Sequence, residues 1–487
     1  MFIFVTKILT ILSLLNIFGM KENNYHMELS SSSQESTSYG DYSTYHDSQY
    51  CINNIQLEKA RKLDQHLSEV KVGIIDNGID VNNTILSNYF DTDLSNKYLS
   101  ENFKNSNSTY KYNSYNHATH VAGIVNLTSN GNARIVNLKS GENKSIDNYK
   151  IASAINFAQE NNIKILNISS NTYFNSIELE SVKNAIENYD GLIICSAGND
   201  NHNIDNYESY PASYTYENII SVGASNIDDG MWHGTTYQGT NYGKSSVDLF
   251  APGEDIYSTV TNNLIASYTG TSMSAPMVTG VAGLLLSNNP SLSTSELKNI
   301  ILNSVDKIDS LENKCVTGGR LNAYKALMSI HQHSYNYKSN DNGHTYECIC
   351  GEVKSSSNHS YKVSYDTTTH TYKCVCGETK SYQHSYTFGY IDSKCHGEIC
   401  ECGYYKNAEA HIIKQGTIVN NKAICLGCKT TLDLNYDMGI TPLYDIVYIT
   451  SNGSYKLPNG IIVLTDIDYN SYINGTLSFN YNDMLLS

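Results

Sequence analysis

Three short segments of this 487-residue sequence carry side chains that together could activate a serine nucleophile. Asp76 follows the apolar run VGII, His117 opens the segment HATHVAGI, and Ser272 stands within GTSMSAP. A serine hydroxyl is a weak nucleophile unless an imidazole accepts its proton, and that imidazole needs a carboxylate on its other nitrogen. Each residue also has a structural explanation: the aspartate as a turn cap, the serine as a helix N-cap, the histidine with His120 as a metal-ligating pair. Their occurrence in one chain favours the catalytic interpretation.

A fourth polar residue fits the same chemistry. Asn199, in CSAGND, follows just past a predicted buried strand. Its side-chain amide could donate a hydrogen bond to the oxygen that becomes negatively charged when a serine attacks a carbonyl group. The order aspartate, histidine, serine along the chain is one of the orders in which this triad occurs. We therefore expect an acyl-transfer centre that combines a triad with an oxyanion donor.

These residues stand at the ends of elements in an alternating pattern of strands and helices, which extends from about Cys51 to Ile330. Near-continuous apolar strands separated by amphipathic helices predict a parallel sheet that helices cover on both faces. In such sheets, functional side chains collect at the carboxyl ends of the strands. The predicted strands are 71–75, 133–138, 163–168 and 192–196, and the predicted helices are 151–161 and 178–188.

Residues 52–330 resemble the subtilisin-like serine peptidases, the subtilases. The segments VGIIDNGID, HATHVAGI, CSAGND and GTSMSAP match the family's aspartate, histidine, oxyanion and serine motifs in order. The resemblance implies a subtilisin-like α/β fold and a serine endopeptidase that hydrolyses peptide bonds through an acyl-enzyme intermediate. It also implies protein or peptide substrates, and no cofactor for catalysis.

The same motifs imply a role for each matched residue. Ser272 is implied to be the nucleophile, and His117 its general base and later its general acid. Asp76 is implied to orient His117, while Asn199 and the backbone N–H of Ser272 are implied to stabilise the oxyanion. His120 matches a structural histidine of the motif and is expected to take no part in catalysis.

Three departures from the family pattern bear on function. Ala118 replaces the glycine that usually follows the catalytic histidine. Residues 124–133 lack the carboxylates of the family's calcium-binding loop, so calcium is not expected. Only residues 21–50 separate the apolar N-terminus from the domain, which leaves no room for a folded inhibitory propeptide. Two other classes therefore stay open. One is a surface-binding or scaffold protein with a silent peptidase domain, and the other is a metallopeptidase that uses His117 and His120.

One segment is expected to hold the substrate backbone. Residues 167–171, NISSN, resemble the edge strand with which the family binds its substrates. Pairing through the backbone gives affinity without demands on sequence, so Ser169, Ser170 and Asn171 predict broad specificity. Asn171 stands where the family usually has glycine and is expected to narrow the mouth of the primary pocket.

Two further residues are expected to border that pocket, Asp200 beside its mouth and Ser209 near its floor. The carboxylate of Asp200 predicts a weak preference for basic residues at the cleaved position. The alternative is that Asp200 is an ordinary solvated surface residue.

After Ile330 the sequence changes into short repeats with a period of 26 residues. GHTYECICGE, from Gly343, recurs as THTYKCVCGE from Thr369 and more weakly as CHGEICECGY from Cys395. Units this short bury too little apolar surface to fold unaided, so metal ions or disulfides are expected. Each unit offers two histidines and two cysteines, a set that suits tetrahedral zinc; disulfides between neighbouring units are the alternative. The candidate ligands are His333, His344, Cys348, Cys350, His359, His370, Cys374, Cys376, His384, His396, Cys400 and Cys402, and a degenerate fourth unit contains His411, Cys425 and Cys428.

The remaining three of the twelve cysteines lie in the α/β region. Cys195 falls in a predicted buried strand and is expected to be chemically inert. Cys51 and Cys315 flank the two ends of the region, and the sequence leaves open whether they pair.

The net charge bears on the possible partners, and the N-terminal segment bears on the location of the protein. A formal net charge of −16, from 32 basic and 48 acidic residues, repels phosphate and disfavours a nucleic-acid partner. Residues 1–20 include a 13-residue apolar run, too short to span a bilayer comfortably, which predicts a signal peptide or an anchor. Residues 21–50 predict a disordered linker, and residues 430–487 a small β-rich tail. We expect a secreted or cell-surface protein whose repeats, residues 331–429, contact a surface component.

Overall fold

The computed structural model describes most of the chain between residues 27 and 464. The predicted signal peptide or anchor, residues 1–20, lies outside the described residues. The chain divides into two compact units at His333, close to the predicted boundary at residue 330. The described ranges are 27–29, 32–38, 49–104, 114–142, 145–172, 177–235, 238–392, 395–414, 419–420, 422–433, 447–448, 455–456 and 462–464.

The first unit alternates strands and helices along most of its length. Its strands are β1 Met27–Leu29, β2 Ser32–Ser38, β3 Val70–Asp76, β4 Ala133–Lys139, β5 Gly141–Glu142, β6 Ser145–Ile146, β7 Ile165–Ile168, β8 Ser170–Asn171, β9 Leu192–Ser196, β10 Ile219–Ser225, β11 His233–Thr235, β12 Gln238–Gly239, β13 Leu249–Pro252, β14 Ile256–Val260, β15 Leu264–Thr269, β16 Asp306–Lys307 and β17 Gly319–Arg320. Its α-helices are α1 Tyr50–Asn54, α2 Leu57–Arg61, α3 Thr92–Asn102, α4 Asn116–Thr128, α5 Asn148–Glu160, α6 Ile177–Glu187, α7 Thr271–Asn288, α8 Thr294–Asn303 and α9 Ala323–Met328. None of the helices in the described ranges is long and apolar enough to cross a membrane.

An eight-stranded sheet forms the centre of the first unit, in the order β16-β17-β13-β10-β9-β7-β3-β4. Its neighbouring strands are parallel except for β16 and β17. Every residue of β7 and β9 is buried, as expected for a parallel sheet that is covered on both faces. The predicted α/β class is therefore confirmed, and each predicted strand and helix is present with its ends shifted by at most three residues.

Helices lie on both faces of this sheet. On one face, Phe157 of α5 and Leu179 of α6 share a buried core with Ile75 of β3. On the other face, α7 packs against β3, β7, β9, β10 and β13, and it is buried along its length from Thr271 to Ser287. A helix that is apolar all round is typical of the interior of a large domain. The helix that carries Ser272 is thus held rigidly in the core.

Helix α7 approaches α4 closely because small residues face the contact. A Cβ atom placed on Gly280 would lie 1.9 Å from Thr128 Oγ1 and 2.7 Å from the Val125 carbonyl oxygen. On Gly283, one turn further along, a Cβ atom would meet only ordinary contacts at 3.7 Å and beyond. Gly280 therefore sets the distance between the helices that carry His117 and Ser272.

We expect Gly280→Ala to lower the free energy of unfolding by about 1–3 kcal/mol, the usual effect of overpacking a core. Gly283→Ala is the matched control, because it adds the same methyl group to the same helix where there is room, and alanine is the better helix former. Urea denaturation of both variants measures the difference. Equal stabilities would contradict the close packing at Gly280.

The predicted linker, residues 21–50, differs from expectation because it contributes two strands. β1 lies in a four-stranded sheet of order β5-β6-β1-β8, and β2 pairs antiparallel with β15. The prediction of disorder over this stretch is wrong for residues 27–29 and 32–38. These short polar strands have no apolar periodicity of their own, and their partners come from distant parts of the chain.

The second unit contains three consecutive three-stranded antiparallel sheets. The middle strand of each sheet ends at a C-x-C-G turn, at Gly351, Gly377 and Gly403, and these glycines share φ values of +91° to +93° that disfavour other residues. The sequence period is therefore a structural period. The strands are β18 Tyr335–Asn340, β19 Gly343–Cys348, β20 Val353–Asn358, β21 Tyr361–Tyr365, β22 Thr369–Cys374, β23 Thr379–Gln383, β24 Tyr386–Tyr390, β25 Cys395–Cys400 and β26 Tyr405–Ala410.

The predicted β-rich tail, residues 430–487, is paired with the end of the repeat region. β27 Ile412–Lys414 pairs in parallel with β32 Ile462–Leu464, and β28 Lys422–Ile424 pairs with β29 Thr431–Asp433. The pairing crosses residue 430, so these described strands of the tail share their sheets with strands of the repeat region. The other described strands here are β30 Val447–Tyr448 and β31 Tyr455–Lys456, and residues 465–487 of the predicted tail lie outside the described residues.

Candidate active site

Asp76 and His117 meet where the end of β3 faces the start of α4. The Nδ1 atom of His117 lies 2.9 Å from Asp76 Oδ2 and 3.1 Å from Oδ1. The carboxylate also accepts a 2.7 Å hydrogen bond from the backbone N–H of Asn77, and both side chains are buried. This contact fixes the ring orientation and places the proton on Nδ1, so the lone pair of Nε2 is available.

The Nε2 atom of His117 is buried and has no hydrogen-bond partner among the described residues. Buried polar nitrogens are nearly always paired, so an open one in a core helix calls for an explanation. An imidazole whose free nitrogen carries a lone pair can accept a proton from a hydroxyl group. Ala118, the departure beside it, is buried within α4 and leaves the contact with Asp76 intact.

Ser272 is the second residue of α7. The N-cap of this helix is Gly270, whose φ of +146° favours glycine, so Ser272 is not the helix cap. Its Oγ donates a 3.2 Å hydrogen bond to the carbonyl oxygen of Ser169. The side chain of Ser169 donates in turn to the Ser272 carbonyl oxygen at 3.2 Å and accepts from Asn167 Nδ2 at 2.9 Å. The serine therefore lies directly against the predicted substrate-binding segment.

Asn199 is oriented by the residue that precedes Ser272. Its Oδ1 accepts 2.9 Å hydrogen bonds from both the backbone N–H and the Oγ1 of Thr271. A backbone N–H can only donate, so the atom that faces it is the amide oxygen and the Nδ2 group points away. That Nδ2 is buried and has no partner among the described residues. It is an unpaired donor held beside the N-terminus of the serine-bearing helix, as an oxyanion site requires.

His120 plays a structural part, as the resemblance implied. Its Nε2 lies 3.0 Å from the carbonyl oxygens of both Ile256 and Ala266, and its ring stacks on Tyr268 at 4.4 Å between centroids. Burial lowers the pKa of His120 from 6.5 to about 3, and hydrogen bonds to the two carbonyl groups offset this only in part. The ring is thus neutral, and its Nε2–H group links β14 to β15 through the carbonyl oxygens of Ile256 and Ala266. Neither His117 nor His120 belongs to a group of three or more close metal-ligand atoms in the part of the chain that the structure describes.

The other predicted pocket residues are partly brought together. Asn171 Nδ2 donates a 3.1 Å hydrogen bond to Ser209 Oγ, and both residues are buried. Asp200 is half-buried, and its backbone N–H donates to Asn241 Oδ1 at 3.1 Å. Asn171 and Ser209 are therefore one hydrogen-bonded pair, while Asp200 is held through its backbone next to Asn199.

The predicted edge strand, β8, is paired with a segment of the chain's own N-terminus. β1 runs antiparallel to β8, with Glu28 opposite Asn171 and Leu29 opposite Ser170. On its other side, β1 pairs antiparallel with β6. β1 thus lies between two edge strands, which is where an extended peptide would add a strand to the sheet.

The second N-terminal strand, β2, pairs with a strand that leads to the serine. β2 pairs antiparallel with β15, and β15 ends at Thr269, three residues before Ser272. Sequence reasoning missed both N-terminal strands, the second edge strand β6, and Thr271. The role of Thr271 could have been predicted from the sequence, because a hydroxyl residue directly before the serine can orient the side-chain amide of a nearby asparagine.

The predicted metal ligands come together in a grouping that the sequence did not indicate. All four ligands of a site were expected within one repeat, but one histidine of each repeat lies with the other histidine and both cysteines of the next repeat. Cys348 and Cys350 lie at the C-x-C-G turn of the first repeat, and His333 is the last residue of the first unit. All twelve cysteines are free thiols, including Cys51, Cys195 and Cys315. The three groups within the second unit are His344, His359, Cys374 and Cys376; His370, His384, Cys400 and Cys402; and His396, His411, Cys425 and Cys428.

Comparisons with known proteins identify the family of the first unit. A model of the subtilase family matches residues 68–346. Thermitase from Thermoactinomyces vulgaris is 30% identical over 290 residues, which are 57% of this chain and 95% of that protein. The thermophilic serine proteinase of Bacillus sp. (strain AK1) is 31% identical over 293 residues, 58% of this chain and 68% of that protein. A crystal structure of a lanthipeptide protease is similar with a TM-score of 0.49 at 19% identity, over 60% of this chain and 97% of that one.

Fold and motifs together define a hydrolase that acts on protein or peptide substrates. The chain belongs to the subtilase family and is a subtilisin-like serine protease.

The buried His120 predicts a loss of stability in acid. Its pKa is about 3 in the folded state and 6.5 in the reference state, so between these values the unfolded chain binds the extra proton. The contribution of neutral His120 to the free energy of unfolding is therefore fully present above pH 6.5. It is lost as the pH falls towards 3, by up to about 1.4 kcal/mol per pH unit. We expect His120→Gln to remove this pH-dependent loss of stability, because the glutamine amide can replace the imidazole N–H as a donor but does not titrate. Urea midpoints of both proteins between pH 3 and 8 measure it; identical pH profiles would contradict the assignment.

Proposed function

We propose that the chain is a secreted serine endopeptidase in which Asp76, His117 and Ser272 form the catalytic triad and Asn199 donates to the oxyanion. The observation that carries the proposal is a pair of buried nitrogen atoms, His117 Nε2 and Asn199 Nδ2, that lack partners within the described residues. Each is held in place through its other polar atom, by Asp76 and by Thr271. One is an open proton acceptor and the other an open donor, which are the two functions that acyl transfer from a serine requires.

In the first half-reaction, the Ser272 hydroxyl turns from the Ser169 carbonyl oxygen and attacks the carbonyl carbon of the substrate. Its proton passes to His117 Nε2, and the Asp76 carboxylate stabilises the imidazolium. The substrate oxygen becomes an oxyanion that accepts hydrogen bonds from Asn199 Nδ2 and the Ser272 backbone N–H. As the C–N bond breaks, His117 returns the proton to the leaving amine, and an acyl-enzyme on Ser272 remains.

In the second half-reaction, a water molecule replaces the amine. His117 Nε2 accepts one of its protons as the water oxygen attacks the acyl carbon, and the same oxyanion donors act again. The C–O bond to Ser272 then breaks, and His117 protonates the serine oxygen. The products are a free carboxylate and the regenerated triad.

The substrate is proposed to bind as an extended strand between β6 and β8. This is the position of β1, whose pairing is antiparallel with both neighbours. Contacts through the backbone support broad sequence specificity. The Asn171–Ser209 hydrogen bond supports a narrowed pocket mouth, and the half-buried Asp200 carboxylate supports a weak preference for basic residues.

Secretion and a surface role for the repeats are part of the same proposal. The apolar run from Ile8 to Met20 supports export, and the exposed aromatic side chains on the repeat strands, such as Tyr365 and Phe388, support contact with a surface component. A scaffold with a silent peptidase domain is disfavoured by the Asp76–His117 contact and the open Asn199 amide, which such a protein has no need to keep.

The proposed triad predicts the outcome of labelling with a fluorophosphonate probe. The probe should modify Ser272, and Ser272→Ala should abolish labelling and lower turnover by about 10⁶ while the fold is unchanged. His117→Ala should also prevent labelling because the hydroxyl is then not activated. Mass mapping identifies the modified residue, and circular dichroism checks the fold.

Asn199→Ala is the companion variant. It removes the oxyanion donor but not the nucleophile, so labelling should persist at a lower rate while kcat falls by about 10²–10³, the range reported for this donor in subtilisin. Thr271→Ser, which keeps the orienting hydroxyl, is the matched control and should stay close to the unmodified protein. Labelling at a serine other than Ser272 would contradict the proposed mechanism.

The strand β1 is proposed to inhibit the enzyme because it occupies the binding position of the substrate. Glu28→Pro should raise activity on peptide substrates, since proline removes a backbone donor and is poorly tolerated in the middle strand of a sheet. Glu28→Ala changes the same side chain but keeps the backbone N–H, and should leave the activity low. Steady-state rates of both full-length variants measure the effect. Equal rates would show that β1 does not compete with substrate.

A further inference from the structure

We propose that the second unit binds three zinc ions, each held by one histidine of one repeat and by one histidine and two cysteines of the next, so that metal joins successive repeats. The sites are defined by their residues: site A is His344, His359, Cys374 and Cys376; site B is His370, His384, Cys400 and Cys402; site C is His396, His411, Cys425 and Cys428. This goes beyond the peptidase function and does not depend on it.

The distances within the sites fit a tetrahedral zinc ion. Zn–N bonds of about 2.05 Å and Zn–S bonds of about 2.3 Å at tetrahedral angles place nitrogen and sulfur about 3.6 Å apart. In site A, Cys374 Sγ is 3.5 Å from His344 Nδ1 and Cys376 Sγ is 3.5 Å from His359 Nδ1. The four ligand atoms all lie within 4.8 Å of one another, which a set of separate hydrogen bonds does not require.

Sites B and C repeat this geometry. The four Sγ–Nδ1 distances are 3.7 and 3.4 Å in site B and 3.5 and 3.7 Å in site C. In site C the two nitrogens, His396 Nδ1 and His411 Nδ1, are 3.3 Å apart, close to the value of about 3.3 Å that two Zn–N bonds at a tetrahedral angle give. A hydrogen bond between the two rings would explain this contact alone, but not the two cysteine sulfurs that lie 3.5 and 3.7 Å from the same nitrogens.

The tautomers of three of the six histidines, one in each site, are set for metal binding through Nδ1. The Nε2 atoms of His359, His384 and His411 lie 2.8, 2.9 and 2.8 Å from the backbone carbonyl oxygens of residues 340, 366 and 392. A carbonyl oxygen only accepts, so each Nε2 carries the proton and each Nδ1 presents a lone pair to its site. A second-shell carbonyl that orients a ligating histidine is a common feature of metal sites.

The repeats lack the apolar core that would otherwise hold them together. Cys374, Cys400, His370 and His396 are almost completely buried, whereas the apolar side chains on the strands, such as Val363, are exposed. Units of this size need a metal or disulfides for stability. All nine cysteines of the unit are free thiols, which favours the metal. A donor set of two sulfurs and two nitrogens selects zinc among the common divalent ions.

Because each site takes its ligands from two successive repeats, the proposal can be tested in the full-length chain. Zinc per chain, measured by elemental analysis after removal of loosely bound metal, should fall by one in the Cys374→Ser/Cys376→Ser variant. It should also fall by one in His344→Ala/His359→Ala. When the two pairs of changes are combined, the loss should still be one ion, because all four residues hold the same ion. Cys315→Ser, a buried thiol outside the three sites, is the matched control and should lose none.

Other results would overturn the proposal. A loss of two ions in the combined variant would show that each repeat binds its own zinc, and unchanged zinc content in all variants would show that the sites are empty. Alkylation of the unmodified chain, mapped by mass spectrometry, does not depend on the folding of any variant. Cys374, Cys376, Cys400, Cys402, Cys425 and Cys428 should be protected until a chelator is added; protection that a reductant releases and a chelator does not would show disulfides instead.

Discussion

The proposed chemistry depends on one short contact, between the carboxylate at the end of β3 and the imidazole at the start of α4. The two residues are 41 positions apart, and backbone contacts bring them together. The Tyr115 N–H donates to the Gly78 carbonyl oxygen at 2.9 Å, and the Asp80 N–H donates to Thr119 Oγ1 at 3.0 Å. The first turn of α4 is therefore fastened to the loop that follows β3. The start of the helix that carries the imidazole therefore cannot move away from the carboxylate without breaking these bonds as well.

A second constraint acts at the N-terminus of α7. Two consecutive residues there have different roles in the proposed reaction. Thr271 orients the Asn199 amide that stabilises the oxyanion, and Ser272 provides the nucleophilic hydroxyl. Because Thr271 and Ser272 are neighbours in the first turn of α7, the hydrogen bonds from Thr271 to Asn199 link the oxyanion donor directly to the element that carries the nucleophile.

The parts of the protein that sequence could predict are those encoded by local patterns. The β-branched runs around residues 72–75 and 192–196 define strands whatever they pair with, and the motifs around Asp76, His117, Asn199 and Ser272 are contiguous. Pairing between distant segments left no such local signal. β1 and β2 are short and polar, and only their partners make them strands. The ligand grouping was missed for a related reason: each repeat contains the same residue types, so the period alone cannot tell whether His344 faces Cys348 or Cys374.

The position of β1 has a consequence for the energetics of recognition. A ligand that belongs to the same chain competes at an effective concentration set by its tether, which for short connections reaches the millimolar range. A free peptide of equal intrinsic affinity would be displaced at any ordinary concentration. Under the proposed competition, substrates must therefore bind more strongly than residues 27–29, through side-chain contacts that the backbone ladder does not provide. The chain's own strand would then set a threshold of selectivity for the proposed broad-specificity cleft.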